Sequence, residues 1–162
     1  METVLFENAW LSVIDREQYI LTHTKNSVVY ILPYRCPKQG KYLLGHFEIC
    51  PAHNWQQALY AITGQCEVGS NPSKVAIQEL HEEAGVVATE TQLVSLGSGY
   101  LTKQADTLAY FFAIDITSLP RCKALTDGSH FEQGSYCDWV SRKQVLSSRC
   151  VGFQALLARA CL

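Results

Sequence analysis

Short segments in which apolar and polar residues alternate, separated by turn-forming residues, dominate this chain and predict strands. Strands are expected over residues 9–14, 18–23, 27–34, 41–48, 58–62, 92–100, 107–116 and 135–140. The first two should form a β-hairpin around Asp15, Arg16 and Glu17. No internal repeat or linker interrupts the pattern, so we expect one domain over residues 1–162.

One long segment departs from this alternation and has the period of a helix. Asn71 is a favourable N-cap, Pro72 suits a first helical turn and Gly85 suits the left-handed residue that ends a helix. The segment therefore predicts a helix over Pro72–Ala84. Because successive side chains rotate by about 100°, its apolar and acidic residues lie on opposite sides. The apolar side carries Ala76, Ile77, Leu80 and Ala84, and the acidic side carries Glu79, Glu82 and Glu83.

Two further helices are predicted near the end of the chain. Ser141 is a suitable N-cap for a short helix that begins at Arg142, and an amphipathic helix is expected over residues 152–160. Strands that surround a central helix and are followed by more helices are typical of an α/β fold, in which a mixed sheet packs between helices.

Composition and charge exclude several classes of function. The formal net charge is −2, and the chain shows no basic stripe of the kind that binds nucleic acid. The N-terminus has no basic segment typical of a secretory signal, and no apolar run approaches the roughly 20 residues needed to span a membrane. The cysteine number, seven, is odd and no pair forms C-x-x-C, which favours a reducing cytoplasm over a disulfide framework or a zinc site.

The acidic side of the central helix indicates a metal site. Glu79 and Glu83 are four residues apart, a spacing at which like charges destabilise a helix. The helix positions that would carry a compensating Lys or Arg hold Val75, Gln78 and Val86 instead. A divalent cation would turn this repulsion into attraction, and Mg²⁺ is commonly held by a few carboxylates together with substrate phosphates. An acidic, solvated helix face is the alternative interpretation.

Residues 64–86 resemble the signature of the Nudix hydrolases, G-x5-E-x7-R-E-U-x-E-E-x-G-U, where U is a bulky aliphatic residue. The residues that match the signature at the correct spacing are Gly64, Glu79, Leu80, Glu82, Glu83, Gly85 and Val86. Two positions depart from it, because Ser70 replaces a glutamate and Gln78 replaces an arginine. The family pair would carry opposite charges, so we expect a neutral hydrogen bond between Ser70 and Gln78 in its place. A decaying, weakly active signature is the alternative.

The resemblance implies a Nudix-like α/β/α sandwich with a mixed β-sheet and an N-terminal β-hairpin. It also implies a divalent cation, Mg²⁺ or Mn²⁺, held by Glu79 and Glu83 and by the backbone carbonyl of Thr63. Glu82 would be a further ligand or would orient the attacking water. The hairpin with Trp10 in its first strand is similar to the start of the ADP-sugar pyrophosphatase branch, whose members often form homodimers through such strands. Trp10 is equally compatible with a plain core position.

The implied activity is hydrolysis of a pyrophosphate bond in a nucleoside diphosphate linked to another moiety, of the ADP-ribose or nucleotide-sugar type. Residues 101–104 lack the proline that ADP-ribose pyrophosphatases usually carry downstream of the signature, which weakens the ADP-ribose assignment. A nucleoside triphosphate pyrophosphohydrolase is the alternative within the same chemistry. A catalytically weak, nucleotide-binding regulatory module is the alternative outside it.

Substrate-contacting residues are less well defined by the sequence. Arg35 and Lys103 lie near strand ends, where they could meet phosphates. The aromatic residues that could stack on a base, if they do not fill the core, are Tyr30, Tyr34, Phe47, Tyr100, Tyr110 and Trp139. Family members often carry a catalytic carboxylate on a late loop, and Glu132 is the best-placed residue for that role, ahead of Asp127 and His130.

We expect Glu132→Gln to lower kcat while leaving KM nearly unchanged, because a residue that positions or deprotonates the attacking water acts mainly in the transition state. Steady-state kinetics on a pyrophosphate substrate measure this. Wild-type kcat in Glu132→Gln would exclude the role, and Asp127 and His130 would be tested next.

Overall fold

The computed structural model describes residues 2–38, 40–125 and 134–161. Its strands are β1 (Glu2–Glu7), β2 (Leu11–Arg16), β3 (Tyr19–Thr24), β4 (Ser27–Arg35), β5 (Tyr42–Cys50), β6 (Gln56–Tyr60), β7 (Ile62–Cys66), β8 (Val94–Tyr100), β9 (Leu108–Asp115) and β10 (Tyr136–Val140). Its helices are α1 (Pro72–Ala84), α2 (Arg142–Ser147) and α3 (Val151–Ala160). Single 3₁₀ turns cover Pro51–His53 and Glu90–Gln92.

The N-terminal strands form a separate antiparallel sheet in the order β1-β2-β3. The predicted hairpin is confirmed as β2 and β3, joined by a tight turn in which Glu17 and Gln18 both have positive φ. Strand β1 was not predicted from the sequence. It pairs with β2 although its residues are exposed, and so it lacks the alternation of buried and exposed positions that marks a half-buried strand.

The larger sheet contains a divergence that shapes the site. Strands β4 and β5 pair only at their hairpin end, Tyr34 with Leu43 and Arg35 with Tyr42. Beyond that point β5 pairs with β6, while β4 pairs with β7. The single strand predicted over residues 58–62 is therefore wrong, because the strand is interrupted at buried Ala61 and its two parts pair with different strands. The segment from β6 to β7 fills the opening between β4 and β5.

Helices cover both faces of this sheet. Strand β4 lies centrally, parallel to β9, and sends alternate side chains to opposite faces. Val29 and Ile31 pack with Leu80 of α1, whereas Leu32 packs on the other face with Phe153 of α3. This layering is the helix–sheet–helix arrangement expected from the element order.

The central helix begins and ends where the sequence predicts. The Asn71 side chain accepts a hydrogen bond from the backbone N–H of Ser73, at 2.9 Å. Gly85 closes the helix at φ 64°, and a Cβ there would meet the carbonyl oxygen of Cys122 at 2.2 Å. Only glycine satisfies both the left-handed backbone and this close approach, so the last turn of α1 has a fixed position.

No helix within the described ranges is long and apolar enough to cross a bilayer. All seven cysteines are free, and they are scattered over the larger sheet, the loops and the C-terminal end.

Candidate active site

Helix α1 approaches strand β7 so closely that Glu79 lies directly over Gly64. A Cβ on Gly64 would stand 2.2 Å from Glu79 Cγ and 2.4 Å from Oε1. No other residue type leaves this space, since every other residue has a Cβ. The glycine that opens the signature is therefore required by the glutamate fifteen positions later in the same motif.

A cavity of about 610 Å³ opens between the acidic face of α1, strand β7 and the N-terminal sheet. Its walls include Thr63 and Gly64 of β7, Glu79 and Glu83 of α1, and Trp10 from the turn between β1 and β2. The structure thus brings three of the predicted ligand residues, Thr63, Glu79 and Glu83, to one cavity. Their role as metal ligands stays a prediction.

Glu83 has a buried partner that is remote in sequence. Its Oε2 lies 2.8 Å from Nδ1 of His46, and the two side chains are only 13% and 4% exposed. The contact meets the distance of an ion pair but not the geometry of a hydrogen bond, so Glu83 Oε2 is a buried acceptor without a hydrogen-bond partner. Buried polar atoms of this kind are uncommon and call for a specific explanation.

Glu48 and Cys137 complete the surroundings of Glu83. Burial raises the pKa of Glu48, the nearby Glu83 raises it further, and His46 lowers it. Cys137 Sγ lies 3.5 Å from the backbone oxygen of Glu83. Burial, with a smaller contribution from Glu83, raises the pKa of the Cys137 thiol to about 12, although Arg121 acts in the opposite direction. This thiol therefore stays protonated near neutral pH and behaves as a small apolar group.

Glu82 lies on the other side of Glu83, in a second cavity of about 240 Å³ that Arg121 also lines. Gln78 Nε2 donates a hydrogen bond to Glu82 Oε1 at 3.0 Å, one helical turn away. The expected hydrogen bond between Ser70 and Gln78 is wrong. Both side chains are exposed, and no hydrogen bond joins them in the part of the chain that the structure describes. Position 78 instead holds a carboxylate of the acidic face.

The donor set is consistent with a hard divalent cation, though not with a site built from side chains alone. Within residues 2–38, 40–125 and 134–161, no three His, Cys, Asp or Glu side chains converge closely enough to hold an ion. Mg²⁺ needs fewer, because it keeps several waters and takes one or two carboxylates plus substrate oxygens. The position of Glu79 directly over Gly64 and the place of the Glu83 carboxylate on the wall of the same cavity fit that requirement.

Most of the aromatic and basic residues considered from the sequence lie elsewhere. Tyr30 stacks on Phe111 in the core, and burial raises its pKa to about 12. Arg35 stacks on the ring of Trp139 with its guanidinium carbon 4.0 Å from the ring centroid. The cavity beside Glu79 is lined by none of the aromatic and basic residues proposed from the sequence as substrate contacts, which are Tyr30, Tyr34, Phe47, Tyr100, Tyr110, Trp139, Arg35 and Lys103. Glu132, Asp127 and His130 lie outside the described residues.

Sequence reasoning missed three residues of the site. Trp10 is 69% exposed and lines the cavity, so the core alternative for this residue is wrong. His46 and Glu48 alternate with apolar neighbours along β5, and they face α1 rather than solvent. A polar residue at an inward position of a predicted strand was the available signal, and only the pairing of strands shows that the middle of this strand lies beside Glu83.

At the sequence level, neither a family profile nor a curated protein matches the chain. Among solved structures, the chain is similar to a protein described as "ADP compounds hydrolase", with a TM-score of 0.62 and 15% sequence identity. The similarity covers 86% of this chain and 74% of that one. At this level of identity the likeness shows the fold, and it confirms the Nudix-like α/β fold predicted from the sequence.

The close packing of Glu79 over Gly64 allows a direct test of Glu79 as a metal ligand. We expect Gly64→Ala to fold but to bind a divalent cation at least tenfold more weakly, because the new Cβ displaces the whole Glu79 side chain. At a concentration of Mg²⁺ one hundred times the wild-type Kd, binding stabilises the wild type by about 2.7 kcal/mol, and a tenfold loss of affinity leaves about 1.4 kcal/mol. Thermal unfolding with and without Mg²⁺ measures the difference.

Gly99→Ala in β8 is the matched control, because a Cβ there meets only the Arg159 guanidinium at 3.2 Å. This variant should keep the full gain from Mg²⁺. The same gain in Gly64→Ala would show that Glu79 does not hold the cation.

Proposed function

We propose that this chain is a divalent-cation-dependent hydrolase that cleaves a pyrophosphate bond in a nucleoside diphosphate linked to another moiety, of the ADP-ribose or nucleotide-sugar type. The observation that carries the proposal is the convergence of Glu79, Glu83 and the Thr63 backbone on one cavity, in a Nudix-like fold. The proposed cation is Mg²⁺, with Mn²⁺ as a substitute.

The residues of the cavities have separate roles in the proposed reaction. Glu79 and Glu83 hold the cation, together with the Thr63 carbonyl. When bound, the cation neutralises phosphate oxygens and lowers the pKa of a water. Glu82, held by Gln78, is a further ligand or orients the attacking water. Among the described residues that line the second cavity, Arg121 is the one cationic side chain, and it is placed to donate hydrogen bonds to phosphate oxygens.

Trp10 supports a nucleotide as the substrate. Its exposed ring lines the same cavity as Glu79 and Glu83, so a base stacked on the ring would place the attached phosphates toward the acidic face. Stacking of a base on an aromatic side chain contributes about 1–3 kcal/mol. The solved protein similar in fold carries "ADP compounds" in its description, which agrees with an adenine nucleotide.

The exposed strand β1 supports the homodimer suggested by the family resemblance. Its outer edge is unpaired among the described strands, and Val4, Leu5 and Phe6 are each more than half exposed. An open strand edge with apolar side chains is a ready surface for pairing with a second chain.

A product-identified phosphate-release assay tests the function. The substrates are ADP-ribose, nucleotide sugars, dinucleoside polyphosphates and nucleoside triphosphates, each with Mg²⁺, with Mn²⁺ and with excess EDTA. Nucleoside monophosphate released from the linked diphosphates supports the proposal, and pyrophosphate released from triphosphates favours the alternative chemistry. Tight nucleotide binding without turnover would indicate the regulatory module.

We expect Glu83→Gln to reduce kcat at least about a hundredfold, or roughly 2.7 kcal/mol of transition-state stabilisation. The amide keeps the volume of the side chain but removes the charge that holds the cation. The control is Glu90→Gln, which removes a carboxylate that contacts the N-cap residue of the same helix, outside the cavity. Full activity in Glu83→Gln, or hydrolysis that persists in EDTA, would exclude the metal-dependent mechanism.

Substitution of Trp10 separates recognition from chemistry. We expect Trp10→Ala to raise KM about tenfold, the equivalent of roughly 1.4 kcal/mol, while kcat stays within about twofold of wild type. Trp10→Phe should retain most of the affinity, and Trp55→Ala, at an exposed tryptophan outside the cavity, should change neither constant. An unchanged KM in Trp10→Ala would show that the base does not stack on Trp10.

A further inference from the structure

His46 is buried beside the acidic face without belonging to the signature. It lies in β5 between two paired strands, opposite Cys137 of β10 on one side and Tyr60 of β6 on the other. Its side chain is only 4% exposed. A residue held on both sides by strand pairing has little freedom to move, so its ring presents Nδ1 from a fixed place.

The group that this ring meets is the Glu83 carboxylate, 2.8 Å from Nδ1. The last turn of α1 is also fixed from β10, where Cys137 Sγ lies 3.5 Å from the backbone oxygen of Glu83. Two neighbouring strands therefore contact the two polar ends of one residue, the carboxylate and the backbone carbonyl. Glu79, by contrast, is positioned from β7, by the space above Gly64.

We infer that His46 is a positioning residue, which fixes the orientation of the Glu83 carboxylate so that its free coordination direction faces the cavity. This inference rests on the proposed function, because it assigns Glu83 the role of metal ligand. Groups that orient a metal-binding side chain from behind are a general requirement of metal sites, and their loss weakens metal affinity or activity by about 10–100-fold.

The alternative role for His46 is to fill space in a buried position. Three variants of different shape and polarity separate the roles. His46→Asn keeps a polar N–H group near the place of Nδ1, close to the Glu83 carboxylate, since the asparagine amide branches at the same distance from the backbone as that ring atom. His46→Gln places its N–H group farther out, near the place of Nε2, and His46→Leu has none.

The experiment measures Mn²⁺ affinity by electron paramagnetic resonance, in the absence of substrate, on the full chain. We expect His46→Leu and His46→Gln to bind Mn²⁺ at least about tenfold more weakly than wild type, and His46→Asn to stay within about threefold. Ser12→Ala is the control, because Ser12 is the other buried polar residue of the described chain and does not line the cavity. It should bind Mn²⁺ as wild type does.

Wild-type Mn²⁺ affinity in folded His46→Leu or His46→Gln, or equal weakening in His46→Asn and His46→Gln, would overturn the positioning role. If His46→Leu does not fold, the comparison of the asparagine and glutamine variants decides. Glu83→Gln is measured alongside. Tight binding in wild type that survives Glu83→Gln would instead contradict the metal site of the proposed function, and so distinguishes failure of that proposal from failure of this one.

Discussion

The contact between Glu79 and Gly64 is the constraint on which the arrangement of the candidate site depends. Helix α1 can lie this close to β7 only because position 64 has no side chain. Strand β7 is available to receive the helix because β4 and β5 separate after their hairpin and leave an edge of β4 to pair with it. The divergence of the sheet, the glycine and the helix glutamate are therefore parts of one geometric requirement, and the caps at Asn71 and Gly85 set the helix register that satisfies it.

Three carboxylates on one helix face repel one another, and each is held in place by a different contact. Glu79 is confined sterically above a strand. Glu82 accepts a hydrogen bond from Gln78 within the helix. Glu83 meets His46 from a neighbouring strand, in a nearly dry environment where an opposite or polar partner matters most. The substitution at position 78 therefore leaves the acidic face organised, because a neutral amide holds the same carboxylate that a positive side chain could have held.

Local signals in the sequence predicted the elements well where a residue type has one common structural role, such as capping a helix. Asn71, Pro72 and Gly85 place both ends of α1, and alternation places most strands within one or two residues. The failures are non-local. Strand β1 is stabilised by pairing rather than by burial, the interruption at Ala61 follows from two strands moving apart, and the approach of His46 to Glu83 depends on sheet order. Spacing within a motif carries no information on any of these.

The cavity receives its walls from two sheets that are built separately. The acidic helix and β7 belong to the larger sheet and its layers, whereas Trp10 comes from the turn of a small sheet attached through β3 to residues 104–107. Changes in that turn alter what the cavity admits without disturbing the buried contacts that fix the glutamates. Selection can therefore diversify the molecules admitted while leaving the glutamates of the candidate site under separate constraint, and divergence among descendants of such a chain should accumulate first in its N-terminal sheet.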